Sequence, residues 1–229
     1  IYSDPDFRAA FKKDSVASAR NPLAGWMERA VISLSPGQEA NEERPLVDVA
    51  AEQGVTPIDL ALDLSLKSDF GARFRFPVVN FDEEEVEELL RDPNMLVALS
   101  DAGAHASQLC DACYSTHLLG HWVREKGVLE LERAIHMLTL RPAEVFGITD
   151  RGLLAVGRPA DIVTFDPDTV KAGSLRRVRD LPGGADRLVA DAVGIAAVVV
   201  NGTVIRQNGE DRENGNRFPG RLLRGGAAA

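Results

Sequence analysis

Met95-Leu96-Val97-Ala98-Leu99-Ser100-Asp101-Ala102-Gly103-Ala104-His105 is the stretch on which the reading of this chain turns. Its first five residues form a continuous apolar run, the pattern of a β-strand covered on both faces. The run ends at Ser100 and Asp101, and small residues follow, so the strand delivers a carboxylate to its C-terminal end with open space around it. In parallel α/β barrels, catalytic groups occupy that end of a strand. A carboxylate there can bind a metal, act as a general base, or do both. Read alone, the pattern favours a structural aspartate capping the following turn, and only the context of the fold can reverse that order.

Working outward, residues 107–126 predict one long helix and residues 129–140 a second, with Leu131, Ala134, Ile135 and Leu138 at helical spacing. Arg141-Pro142-Ala143 restarts a short helix that stops at Gly147. Upstream, Asp82 caps a helix that opens on Glu83, Glu84 and Glu85, where acids suit the positive end of the dipole. Val86, Leu89 and Leu90 are its expected buried stripe. Residues 74–80 read as a strand, with Pro77 implying an edge or an irregularity. Farther back, residues 29–35 precede the breaker pair Pro36-Gly37 and read as a strand. The helix Leu46–Gln53 lies between Pro45 and Gly54, and the helix Pro57–Lys67 takes Thr56 as its cap. Near Asp150 the character changes from helix to strand. Residues 161–165, 196–200 and 203–206 are expected in one sheet layer, with Asn201-Gly202 turning a hairpin. The segment carrying Leu181-Pro182-Gly183-Gly184 reads as a loop, and residues 221–229 as a frayed tail.

Composition narrows the function classes. In 229 residues, 35 Asp+Glu outweigh 26 Lys+Arg, a net charge of -9. Nucleic-acid and anionic-membrane surfaces need the opposite excess, so neither is an expected partner. No apolar run is long enough to cross a bilayer, and two cysteines cannot build a disulfide framework. A soluble, cytoplasmic protein is the expectation. The first residue is Ile, with no signal-peptide pattern, so the chain is expected to start after processing, after clipping, or part-way through a larger gene product.

A second constellation is His105, Cys110, Cys113 and His117, four borderline ligands in thirteen residues that could hold a tetrahedral zinc. On one helix, Cys110, Cys113 and His117 could share a face, but His105 must fold back to complete the site. The residues themselves favour two buried helix cysteines and partly exposed histidines over a closed zinc site. No nucleotide fingerprint, nucleophile elbow or phosphate loop occurs.

Several segments together resemble the C-terminal part of the amidohydrolase superfamily, in its N-acyl-D-amino-acid deacylase (D-aminoacylase) branch. They are Asn80-Phe81-Asp82, Leu99-Ser100-Asp101-Ala102-Gly103-Ala104-His105, Leu138-Thr139-Leu140-Arg141-Pro142-Ala143, Gly157-Arg158-Pro159-Ala160-Asp161-Ile162-Val163, Asp180-Leu181-Pro182-Gly183-Gly184 and Val199-Val200-Asn201-Gly202. Their order and spacing cover most of residues 80–209. The resemblance implies an α/β fold: the last strand and helix units of a metal-dependent-hydrolase (β/α)₈ barrel, followed by strands of a β-sandwich built from segments on both sides of the barrel. It also implies that Asp101 matches the last-strand aspartate, which binds the metal site and takes a proton from the attacking water, with His105 beside the substrate. Zinc is the implied cofactor of the full-length enzyme, though this chain alone need hold none.

The departure from the family pattern is as informative. No His precedes His105, and no His-x-His occurs, so the family's other metal ligands are missing. A complete barrel takes about 250 residues. The expected organisation is therefore a small helical insertion over residues 1–75, the last barrel units over 76–150, and sandwich strands with a tail over 151–229. The expected activity is hydrolysis of the amide bond of N-acyl-D-amino acids, lost without an N-terminal half. The expected partners are that half, supplied by the same gene product, or a second copy by self-association, together with a small N-acyl amino acid substrate. A non-catalytic assembly module, or a small Cys/His zinc domain, are the alternatives.

Overall fold

The computed structural model describes residues 1–16, 25–97, 103–108, 110, 112–212, 215, 218–224 and 227–228. The chain divides into two compact units, Ile1–Val86 and Glu87–Ala229.

The first unit is built around a short antiparallel sheet. Strand β1 (Val31–Leu34) lies between β2 (Arg44–Pro45) and β3 (Arg73–Arg75). The expected strand at 74–80 is thus shorter and starts earlier. It stops before Pro77, which has no N–H to give to a ladder. Helix α1 (Pro5–Val16) is capped by Asp4, whose Oδ1 accepts from the N–H of Asp6 at 2.8 Å. A single helical turn, α2 (Trp26–Arg29), replaces the beginning of the strand expected at 29–35. Helices α3 (Leu46–Gln53) and α4 (Pro57–Lys67) have the expected bounds. Gly54 ends α3 at φ 66°, a left-handed conformation that costs glycine little. Thr56 Oγ1 accepts from the N–H of Asp59 at 3.2 Å at the start of α4. Ile32, Leu46, Val49, Leu60 and Leu64 form the centre of the core. Tyr2, Phe7 and Phe11 stack in a row against it.

Helix α5 (Glu83–Arg91) begins as read, with Asp82 Oδ1 accepting from the N–H of Glu84 at 3.0 Å. Its expected buried stripe is not buried: no residue of α5 is, and Leu89 is 45% exposed. Val86 and Leu90 are half-buried.

In the second unit, residues 95–97 are not paired as a strand, and the rest of the expected strand at 95–99 lies outside the described residues. The long helix expected over 107–126 is shorter. Residues 103–108 form turns, α6 (Tyr114–His117) follows, and the chain continues directly into a π-helical segment, Leu118–Glu125. The wider coil is visible in Lys126, whose N–H donates to the carbonyl of His121, five residues back. Helices α7 (Leu131–Leu138) and α8 (Leu140–Val145) meet at Thr139, whose backbone leaves the helical region.

Strand β4 (Ile162–Phe165) pairs antiparallel with β7 (Ile195–Val200), β7 with β8 (Thr203–Gln207), and β8 with β9 (Glu210–Asp211). The three expected strands do share one sheet. Asn201 and Gly202 turn the hairpin at φ 45° and 78°, the doubly positive geometry their pairing predicts. The segment expected as loop contains a second hairpin, β5 (Lys171–Val178) with β6 (Arg187–Val193). Its strands lack clean alternation and carry Gly173, Arg176 and Arg177, which hid them from a hydrophobic-pattern reading. Ion pairs between Arg176 and Asp191, Arg177 and Asp186, and Arg187 and Asp180 run along it. The expected frayed tail contains a short pair, β10 (Leu223–Arg224) with β11 (Ala227–Ala228).

Candidate functional site

Asp101, the central residue of the sequence reading, lies outside the described residues. Residues 103–108 are described, and hydrogen bonds hold their turn. His105 sits at φ 48°, exposed at a tight turn closed by the N–H of Gln108 donating to its carbonyl at 2.7 Å. Two groups of the β5–β6 hairpin then grip this turn. The N–H of Leu188 donates to the carbonyl of Ala106 at 2.8 Å, and Arg177 Nη1 donates to the carbonyl of Ser107 at 3.0 Å. Arg177 is itself oriented by Asp186 at 2.9 Å. Sequence reading missed this clamp because the hairpin that supplies it has no apolar signature.

The expected Cys/His cluster separates into pairs. Cys110 and Cys113 are partly accessible thiols. Cys113 precedes α6, with its Sγ 3.8 Å from the carbonyl oxygen of Cys110. The His117 ring stacks on that of His121 at 4.9 Å, one helical turn on. His121 Nδ1 lies 3.1 Å from Glu125 Oε2, and that contact holds the Glu125 carboxyl below the ordinary carboxylate range. His105, Cys110, Cys113 and His117 do not converge: among the described residues no three His, Cys, Asp or Glu side chains form a group able to hold a metal ion. The described residues therefore do not fit a zinc site by themselves.

A large open cavity of about 940 Å³ lies elsewhere in this unit, between α7–α8 and the face of β4 and β7. Its lining is predominantly apolar, including Ile135, Leu140, Leu153, Phe165 and Ile195, and His105, Cys110, Cys113 and His117 are not among its described lining residues. Three of its polar lining residues, Arg151, Asp161 and Asn201, are tied to one another or to Asp150. Arg151, 11% exposed, pairs with Asp150 Oδ2 and Asp161 Oδ2, each at 2.6 Å. Asp161 Oδ1 in turn accepts from the N–H of Asn201 at 2.7 Å. A large open cavity walled mainly by apolar side chains, with its Arg151–Asp161 pair already satisfied, suits packing by another piece of protein. Nearby Phe146, Leu154, Val156 and Val163 are exposed large hydrophobics.

Residues 9–206 match the amidohydrolase family, so the chain belongs to that family. Within it the likeness is to deacylases of N-acyl-D-amino acids. An N-acyl-D-glutamate deacylase of Alcaligenes xylosoxydans xylosoxydans is 40% identical over 114 residues, 48% of this chain and 20% of that protein. A D-aminoacylase of the same organism is 30% identical over 198 residues, 86% of this chain and 36% of its own length. The crystal structure of a D-aminoacylase superposes with a TM-score of 0.50 at 25% identity, covering 93% of this chain and 39% of the other. The chain thus spans well under half the length of these relatives. Among the described residues, no helix is long and apolar enough to cross a membrane.

Proposed function

We propose that this chain supplies the C-terminal portion of a hydrolase that cleaves the amide bond of N-acyl-D-amino acids, in the cytoplasm. The observation that carries this reading is the 30% identity to a D-aminoacylase across 198 residues, 86% of the chain. The reaction adds water across the amide, so the C–N bond breaks to a carboxylate and a free D-amino acid. Asp101 takes the proton from the attacking water, a role open to a carboxylate that follows an apolar run. The clamp from Leu188 and Arg177 holds the turn that follows it. Zinc, if the complete site held it, would supply Lewis-acid polarisation of an amide carbonyl. The described residues hold no set of ligands for it, so the remaining ligands belong to a segment bearing the His-x-His that this sequence lacks.

That segment is also the partner in this reading. The apolar cavity, the exposed Leu89 of α5 and the edge strand β4 are the surfaces it packs on. Self-association of the chain is the competing cover for the same surfaces.

Co-expression with an upstream polypeptide carrying His-x-His tests both parts. The expected result is a stable complex that binds zinc and hydrolyses N-acetyl-D-glutamate or N-acetyl-D-leucine but not the L-isomers, while the chain alone turns over neither. A complex that forms without hydrolysing any N-acyl-D-amino acid identifies a non-catalytic assembly module instead.

A further inference from the structure

Two Asn-Gly pairs turn consecutive hairpins of one sheet: Asn201-Gly202 joins β7 to β8, and Asn208-Gly209 joins β8 to β9. Such a pair is labile, because a glycine without Cβ lets its nitrogen close on the carbonyl carbon of the preceding amide. Both turns have a doubly positive backbone, with φ 45° and 78° in the first and 52° and 83° in the second. Nothing lies within 4 Å of the place a Cβ would take on either glycine, so crowding does not distinguish them. Their hydrogen bonds do. Asn201 Nδ2 donates to the carbonyl of Pro219 at 2.5 Å, and its Oδ1 accepts from Arg151 Nη2 at 3.3 Å. The N–H of Gly202, the nitrogen that would have to attack, donates to the carbonyl of Ala160 at 2.9 Å. Asn208 is exposed, and only its backbone N–H is engaged, donating to the carbonyl of Ala196 at 2.8 Å. Among the described residues, its side-chain amide and the N–H of Gly209 have no partner. Its turn is closed by β9, two residues at the edge of the sheet, where local opening costs little.

We infer that Asn208 is a site of spontaneous covalent modification, converting with water to aspartate and isoaspartate, while the fold protects Asn201. The Gly209 nitrogen loses its proton to solvent and attacks Cγ of Asn208. The bond from Cγ to the side-chain nitrogen breaks, ammonia leaves with a proton from water, and a succinimide ring remains. Water then adds to one ring carbonyl and opens the ring, to aspartate on one side or isoaspartate on the other. The net change is one water in and one ammonia out. Either product adds a negative charge near Arg206, whose Nη2 donates to the carbonyl of Gly209 at 2.6 Å. Isoaspartate also puts an extra methylene in the main chain, so the two-residue turn no longer keeps Gln207 opposite Glu210. The inference concerns this chain alone and does not depend on its place in a hydrolase.

The test incubates the full chain in neutral buffer at physiological temperature, with a parallel sample in urea, and follows both by tryptic digestion and mass spectrometry. Cleavage after lysine and arginine places Asn201 in the peptide 188–206, Asn208 in 207–212 and Asn214 in 213–217, so the Asn-Gly pairs are read separately. The expected result in the native chain is a gain of about one mass unit in 207–212, with isoaspartate among the products. Peptide 188–206 should change at least about tenfold more slowly, because its reacting groups must first be released from their hydrogen bonds. In urea the two peptides should change at similar rates, since only the fold separates them. Equal rates in the native chain, faster change in 188–206, or a native 207–212 that stays unmodified while the denatured one reacts would each overturn the inference.

Discussion

The backbone N–H of Leu188 meets the carbonyl of Ala106 at 2.8 Å, joining strand β6 to the turn that follows Asp101 across more than eighty residues of sequence. With Arg177 on Ser107, this contact makes a hairpin of the C-terminal region the support of the candidate site.

Arg177→Ala should loosen that support. The guanidinium is mostly buried and makes one bond to the Ser107 carbonyl and one ion pair to Asp186, so its loss is expected to cost about 2 kcal/mol locally. Hydrogen exchange of the Leu188 amide should accelerate by more than about tenfold. Unchanged protection there would show that the hairpin holds the turn without the arginine.

Val170, 1% exposed, is approached by two glycines that leave no room for a methyl group. A Cβ on Gly120 would lie 2.7 Å from the Val170 carbonyl oxygen, and one on Gly194 would lie 2.6 Å from its nitrogen. The neighbours are backbone and cannot swing away. Gly194 is also at φ 77°, strained for any other residue. Gly120→Ala is expected to cost about 2 kcal/mol, and Gly194→Ala more, since it adds conformational strain to overpacking. Thermal unfolding of both variants checks the order, and an unshifted midpoint in either would contradict the packing.

Asp59 binds Lys12 Nζ at 2.5 Å and Arg8 Nη1 at 3.3 Å, tying α1 to α4. The Lys12 hydrogen bond is the leading reason that the Asp59 carboxyl lies below the usual range, with Thr56 and Arg8 adding to it against a partial cost of burial. A lowered value means the folded chain holds its proton less tightly than the unfolded chain. The stabilisation is therefore full above the unfolded value of about 3.9 and fades as pH falls below it through the lower folded value. Asp59→Asn should cost on the order of 1 kcal/mol at neutral pH and flatten the decline in stability between about pH 5 and pH 2. An equally steep decline in the variant would assign the acid sensitivity to other carboxylates.

Asp101→Asn keeps the side-chain shape while removing the charge and the basic oxygen. In the proposed complex with a His-x-His-bearing polypeptide, turnover of an N-acetyl-D-amino acid should fall by about 10²–10⁴-fold with assembly intact. Cys110→Ala and Cys113→Ala should stay within about tenfold of the parent, a loss of no more than ~1.4 kcal/mol in the barrier. Near-normal turnover in Asp101→Asn would move the proton transfer to another group.

Local chemistry was legible wherever a few neighbouring residues decide the conformation. Thr56-Pro57 and Gly54 set helix ends, Asp82 a cap, and Asn201-Gly202 a turn, because caps and positive-φ turns depend on side chains within three or four positions. The order of motifs around Asp101 was likewise enough to point to the amidohydrolase family, which the match over residues 9–206 shows. Three things were decided only by tertiary structure. The β5–β6 hairpin is held by ion pairs and by contact with a distant turn, neither of which leaves a periodic apolar signal. The π-helical coil at Leu118–Glu125 accompanies the close approach of Gly120 to Val170, fifty residues away. The Cys/His spacing, suggestive as a string, dissolves because a turn and a helix start carry its members apart, and ligand geometry depends on where backbones go rather than on how residues are counted.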